Sequence, residues 1–243
     1  MTSLSSAPLA PSRRGLLLGA AVGLVAGASA HAASGGGDVS VSPDVALARL
    51  TAGNARFVAG RAQHPRQDPQ RRVVVADGQH PFATILACSD SRVAPEVIFD
   101  QGLGDLFVAR VAGNVVDDEI LASIEYSVIH LGSTLVMVLG HDKCGAVKAT
   151  IDALDGHGSD DDRDTKIGSL ATLIAPAVKA VPASTPDKLD AAITLNAENS
   201  TTAIFAQSPP LNARVLAGKL RIVAARYSLR DGRVTLTSRP EPS

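Results

Sequence analysis

Short apolar runs alternate along the chain with segments in which apolar residues recur at helical spacing. The apolar runs cover residues 82–87, 105–110 and 134–139, and the last of them contains no charged residue. A run of that kind is typical of a strand that is buried on both faces of a parallel sheet. Helical spacing predicts helices over residues 43–60, 117–130, 144–154, 166–181 and 187–207.

The order of these elements predicts the fold class. Strands and helices that alternate with short connections form a parallel sheet with right-handed crossovers. Residues 220–224 and 234–237 flank an Asp-Gly turn signal and predict a closing hairpin. We therefore expect an α/β fold with a mostly parallel central β-sheet flanked by helices. Residues 43–243 are expected to form one domain that begins with a helix and a polar arm, residues 61–72.

Composition and charge exclude one class of function. Hydrophobic residues make up 45% of the chain and charged residues 19%, which is typical of a globular protein with a core. Aromatic residues make up only 3%, without tryptophan, so a surface that stacks bases is not expected. The 23 lysine and arginine residues are balanced by 24 acidic residues, so the chain has no basic footprint for nucleic acid.

The first residues carry the features of an export signal. Arg13 and Arg14 precede an apolar run that continues to about residue 28 and ends among small residues. This pattern predicts a cleaved signal peptide over residues 1–32 and, from the arginine pair, the twin-arginine route. Residues 33–42 are then a flexible leader, and the protein is expected to be periplasmic or secreted. An uncleaved anchor is the alternative, but the run is shorter than the about 20 apolar residues that span a membrane. No membrane span is expected after cleavage.

The two cysteines, Cys88 and Cys144, allow two interpretations. On their number alone, two cysteines in an exported protein favour a disulfide. Their surroundings favour a metal site instead. Cys88 and Asp90 follow the first predicted strand, and His141 and Cys144 follow the third. The carboxyl ends of parallel strands meet at one edge of a sheet, so these side chains are expected to converge. Two thiolates, an imidazole and a carboxylate favour tetrahedral zinc.

The same residues form a motif that resembles a known family. Cys88-Ser-Asp90-Ser-Arg92 is followed, 53 residues after its cysteine, by His141-x-x-Cys144. This combination resembles the β-class carbonic anhydrases, and the close similarity covers roughly residues 79–150. Two segments between the motifs also resemble the family: Phe-Val-Ala-Arg-Val-Ala-Gly-Asn from residue 107 and Ser-Ile-Glu-Tyr from residue 123.

The resemblance implies a zinc lyase, a carbonate dehydratase with one Zn²⁺ ion per chain. Cys88, His141 and Cys144 would be the zinc ligands, and zinc-bound hydroxide would convert carbon dioxide to bicarbonate and a proton. Asp90 would either bind zinc as a fourth ligand or pair with Arg92 and leave that position to water. An arginine beside the aspartate stabilises the carboxylate and competes with zinc for it.

Further residues match positions that line the substrate pocket of the family. They are Gln79, Phe107, Ala112, Tyr126 and Gly145. The two aromatic residues suit a core position equally well.

The sequence departs from the family pattern at one site, which binds bicarbonate in some members. Some members of the family carry a second, inhibitory bicarbonate site built from a tryptophan, an arginine and a tyrosine. Arg110 and Tyr227 match the last two, but Ile85 stands at the tryptophan position. Bicarbonate inhibition is therefore not expected.

The resemblance also implies a homodimer or homotetramer, assembled through the N-terminal helices.

Three alternatives to carbon dioxide hydration remain open. The first is a hydrolase of the same fold that acts on carbon disulfide or carbonyl sulfide. The second is a non-catalytic zinc-binding protein in which Asp90 closes the site. The third is a binding protein stapled by a disulfide, without metal.

Overall fold

The structure is a computed structural model that describes residues 41–158 and 165–237. The predicted signal peptide and nearly all of the predicted leader lie outside these residues. The helices of the described part are α1 (Pro43–Val58), α2 (Pro69–Val74), α3 (Pro95–Ile98), α4 (Asp118–His130), α5 (Gly145–Leu154), α6 (Ile167–Ala180), α7 (Lys188–Gln207) and α8 (Pro209–Leu216). The strands are β1 (Ala83–Ala87), β2 (Leu106–Arg110), β3 (Leu135–His141), β4 (Arg221–Tyr227) and β5 (Val234–Leu236).

The five strands form one sheet in the order β2-β1-β3-β4-β5. The three pairings among β2, β1, β3 and β4 are parallel, and only β5 runs antiparallel. The predicted α/β fold with a mostly parallel sheet flanked by helices is confirmed. Every residue of β1 and β3 is buried, as the continuous apolar runs predict. One layer of core side chains lies on each face of this sheet.

Three helices were not predicted. They are α2, α3 and α8, which have six, four and eight residues, too few to show a helical repeat of apolar positions. Each begins with a proline at its first position, where the missing N–H is not needed. In α2 and α8 an aspartate or serine side chain caps the helix. The polar arm therefore ends in a short helix rather than continuing as a linker.

Two buried aspartates hold the arm against the domain. The Asp100 carboxylate accepts hydrogen bonds from the Gln63 and His64 backbone N–H groups and from the Arg56 guanidinium. Asp105 pairs with Arg66 through both carboxylate oxygens. Burial alone would raise the pKa of Asp100, but these hydrogen bonds outweigh it and lower that pKa below its ordinary value.

No helix in the described ranges is both long and apolar enough to cross a membrane. The finding concerns those residues alone.

We predict that Asp100→Asn lowers the free energy of unfolding by about 1–3 kcal/mol, because a buried acceptor of several hydrogen bonds loses its charge. A carboxyl whose folded pKa is lowered stabilises the fold above its unfolded pKa, about 3.9, and loses that effect as the pH falls further. The difference between wild type and variant should therefore be full at pH 7 and shrink below about pH 4. Urea unfolding across this range tests it; a difference that grows in acid would contradict it.

Candidate metal centre

Parallel pairing brings two distant segments of the chain to one edge of the sheet. Ala87 on β1 is level with Leu139 on β3, so the residues that follow each strand emerge side by side. Cys88 comes directly after β1, and His141 is the last residue of β3. Three residues later, Cys144 is the N-cap of α5. The strand register thus places all three predicted ligands together.

The ligand atoms of Cys88, His141 and Cys144 lie within 4.8 Å of one another. All three side chains are buried, and His141 has no exposed surface. Ligands of one zinc ion lie about 4 Å apart, because zinc–sulfur bonds are about 2.3 Å long. Both cysteines are free thiols, so the structure contains no disulfide between them. The cluster therefore has the composition and the spacing of a zinc site.

The imidazole of His141 is oriented for a cation. Its Nδ1 lies 2.9 Å from the Asp142 carbonyl oxygen, which can only accept, so Nδ1 carries the proton. The other nitrogen, Nε2, is buried and has no hydrogen-bond partner in the part of the chain that the structure describes. A buried nitrogen lone pair without a partner is costly unless something binds it. A metal ion fits this position.

The two thiols form an electrostatic pair that favours a divalent cation. A hydrogen bond from Cys144 lowers the pKa of Cys88 to about 4, and the Gly113 N–H, 3.3 Å from the sulfur, contributes. The same hydrogen bond, together with burial, raises the pKa of Cys144. The first proton thus leaves readily, whereas the second leaves only when positive charge compensates for it. Zinc supplies that charge when it binds thiolates.

Asp90 lies beside this cluster but is bound to Arg92. One carboxylate oxygen accepts from Arg92 Nε at 2.9 Å, and the other accepts from an Nη at 2.7 Å. The guanidinium of Arg92 holds the pKa of Asp90 well below its usual range. Asp90 Oδ2 is 3.9 Å from His141 Nε2. The carboxylate is therefore ionised, next to the cluster and already partnered.

Comparison with known proteins agrees with this geometry. A family model described as "Carbonic anhydrase" matches residues 83–234. Carbonic anhydrase 2 of Mycobacterium tuberculosis is 41% identical over 197 residues, which cover 81% of this chain and 94% of the relative. The chain belongs to the β-class carbonic anhydrases. Its reaction is the reversible hydration of carbon dioxide to bicarbonate and a proton.

Two further comparisons extend the match. The carbonic anhydrase of Mycolicibacterium smegmatis is 40% identical over 81% of this chain and 94% of its own. Among solved structures, the β-carbonic anhydrase CafA of Aspergillus fumigatus has a TM-score of 0.60 and 25% identity, covering 82% of this chain and 92% of that one. The predicted resemblance to the family is confirmed.

The structure of this carbonic anhydrase chain brings two of the predicted pocket residues to the cluster. Ala112 begins a 3₁₀ turn, Ala112–Asn114, whose Gly113 donates to Cys88. Gly145 follows Cys144 and is exposed. A Cβ added at Gly145 would meet no atom within 4 Å among the described residues outside its own helix and its chain neighbours.

The other three predicted pocket residues lie away from the cluster of Cys88, His141 and Cys144. Phe107 is level with Thr84, four residues before Cys88 and about 13 Å away along the strand. Its ring lies 6.4 Å from that of Tyr126, which is exposed. Gln79 is exposed and precedes β1, at the opposite end of the strand from the cluster. Within a single chain these three residues do not line the cluster.

Arg110 has a role in this chain that the sequence did not indicate. Its Nε donates to the Cys88 carbonyl at 3.0 Å, and an Nη donates to the Asp90 carbonyl at 2.7 Å. Arg110 therefore fixes the turn that carries both side chains. The sequence feature that fits this role is that Arg110 ends an apolar run, and the structure places it opposite Ala87, next to Cys88.

The other two positions of the family's bicarbonate site are apolar or buried. Ile85 lies in the core, and Tyr227 is the buried last residue of β4, where burial raises its pKa. The expectation that bicarbonate does not inhibit the enzyme stays a prediction.

We predict that Gly113→Ala lowers the free energy of unfolding more than Gly132→Ala does. Both glycines have a left-handed backbone, with φ of 77° and 80°. A Cβ at Gly113 would lie 2.7 Å from Ile174 Cδ1, whereas one at Gly132 would meet nothing within 4 Å. Backbone strain should cost about 1–2 kcal/mol in both variants, and overpacking should add about 1–3 kcal/mol at residue 113 alone. Urea unfolding measures both; equal losses would contradict the prediction.

Proposed function

We propose that the enzyme hydrates carbon dioxide at one zinc ion per chain, held by Cys88, His141 and Cys144. The observation that carries this proposal is the buried Nε2 of His141, which has no hydrogen-bond partner among the described residues and lies beside two free thiols. A zinc ion bound there would act as a Lewis acid that lowers the pKa of a water to about 7. Two thiolates and one neutral imidazole balance the charge of the ion inside the core.

Asp90 and Arg92 are proposed to position the attacking water. The Asp90 carboxylate can only accept hydrogen bonds, and Arg92 keeps it ionised. A hydroxyl group that donates a hydrogen bond to Asp90 would have its lone pairs directed away from the carboxylate, toward the incoming carbon dioxide. Arg92 thus acts through Asp90, by holding the acceptor in one orientation with two hydrogen bonds.

The alternatives receive less support. The pairing of Asp90 with Arg92 favours a site that is open to water over one in which Asp90 is a fixed fourth ligand. Free thiols argue against a disulfide-stapled binding protein. The relatives at 40–41% identity are named carbonic anhydrases, which favours carbon dioxide over carbon disulfide or carbonyl sulfide.

We propose further that the chain assembles as a homodimer or homotetramer. Val73 and Val74 on α2 are 75% and 70% exposed, which leaves apolar surface on the N-terminal arm. Light scattering of the purified protein tests this; a monomer at micromolar concentration would refute it.

Export through the twin-arginine route, with removal of residues 1–32, is proposed from the sequence pattern. Sequencing the N-terminus of protein from the periplasmic and cytoplasmic fractions tests it. A full-length chain confined to the cytoplasm would refute the proposal.

We predict that Cys144→Ser loses zinc and activity together. Removing a partner of a ligand costs about 10–100-fold in affinity, and removing a ligand should cost more than about 100-fold. Zinc per chain and stopped-flow carbon dioxide hydration are measured on the same samples. Ala149→Ser is the matched control, since it adds the same hydroxyl to an exposed position of the same helix. Stoichiometric zinc in Cys144→Ser would contradict the ligand assignment.

We predict that Arg92→Ala keeps its zinc and loses about 100-fold or more in activity, because Asp90 is no longer held as a hydrogen-bond acceptor. Arg233→Ala is the matched control. Arg233 also pairs with an aspartate two residues earlier, Asp231, but on an exposed turn. A fully active Arg92→Ala enzyme would show that the pair has no role in catalysis.

A further inference from the structure

Arg226 forms an ion cluster directly behind the proposed zinc site. It lies on β4 opposite Gly140, one position before the level of His141. Its guanidinium donates to Asp142 from Nε at 3.1 Å and from Nη2 at 2.6 Å, and it also pairs with Asp190 on α7. All three side chains are less than half exposed. The proposed mechanism uses none of them.

Asp142 connects this cluster to the metal centre through its backbone. Its carbonyl oxygen is the partner of His141 Nδ1 at 2.9 Å. Its backbone N–H donates to the Tyr227 carbonyl at 3.1 Å, and its second carboxylate oxygen accepts from the Leu229 N–H at 3.2 Å. The residue is therefore anchored on both its main chain and its side chain.

The loop that Asp142 anchors contains a residue with a strained backbone. Lys143, between Asp142 and Cys144, has a φ of 54°, a left-handed conformation that is unfavourable for any residue with a Cβ. This turn lets His141 and Cys144 face each other across only two intervening residues. Contacts outside the loop must hold it in that shape, and the Asp142 contacts lie next to the strained residue.

We propose that Arg226 and Asp142 are positioning residues of the metal centre. They hold the Asp142 carbonyl where it keeps the proton of His141 on Nδ1 and turns Nε2 toward the two cysteines. This inference rests on the proposed zinc site. Partners that orient a histidine ligand in this way fix its tautomer and raise its basicity, and their loss typically weakens metal binding about 10–100-fold.

The test compares zinc affinity in four proteins, measured by competition with a chromophoric chelator. Arg226→Met removes the guanidinium, and Asp142→Asn keeps the shape of the side chain but removes its charge. Arg221→Met is the matched control: the same substitution at the other end of β4, where the arginine pairs with Asp44. We expect a loss of about 10–100-fold for the first two variants and less than about twofold for the control.

A second readout separates positioning from a general loss of stability. The imidazole N–H proton of His141 should exchange slowly with solvent in the zinc-loaded wild type and in Arg221→Met, and faster in Arg226→Met and Asp142→Asn. The buried backbone N–H protons of β1 should exchange at the same rate in all four proteins, whereas a general loss of stability would speed their exchange as well. If Arg226→Met does not fold, Asp142→Asn decides.

The outcomes distinguish the two proposals. A wild-type protein that binds no zinc overturns the proposed zinc site and this inference with it. Tight zinc binding by the wild type with an unchanged affinity in Arg226→Met or Asp142→Asn overturns the inference alone.

Discussion

The site depends on the parallel pairing of β1 with β3. That pairing brings Cys88 and His141, which are 53 residues apart in sequence, to one edge of the sheet. Strand order and register decide this convergence, because a shift by one residue would turn each side chain to the opposite face. The full burial of both strands makes such a shift unfavourable. Core packing therefore fixes the metal ligands as firmly as it fixes the sheet.

Burial makes the side chains of Cys88, His141 and Cys144 favour a cation. In a site with almost no exposed surface, a bare imidazole nitrogen and a second thiolate are both unfavourable without a cation. A zinc ion bound there would remove both penalties, so part of its binding energy would come from the desolvation of these side chains. The Gly113 N–H and the Asp142 carbonyl supply fixed backbone dipoles that orient the ligands without adding a charge.

Three arginines surround the centre, and each acts on a different part of it. Arg92 binds the Asp90 carboxylate, and Arg110 binds the carbonyls of the turn that carries Asp90. Arg226 binds Asp142 behind His141. A planar guanidinium with several donors can bridge two acceptors at once, which suits it to hold loops at a strand edge. Together the three arginines hold in place the two loops that carry Asp90 and Asp142.

The sequence by itself determined the strand and helix order, the two ligand motifs and the position of each motif at the end of a strand. These features are local, since apolar periodicity and motif spacing are visible within short windows. Helices α2, α3 and α8 were missed because they are too short to show a period. Only the tertiary structure decided that Asp90 pairs with Arg92, that Arg110 holds the turn and that Asp142 meets Arg226, 84 residues away. It also placed Gln79 at the far end of β1. Such contacts depend on which strands become neighbours, and that is set by packing across the whole chain.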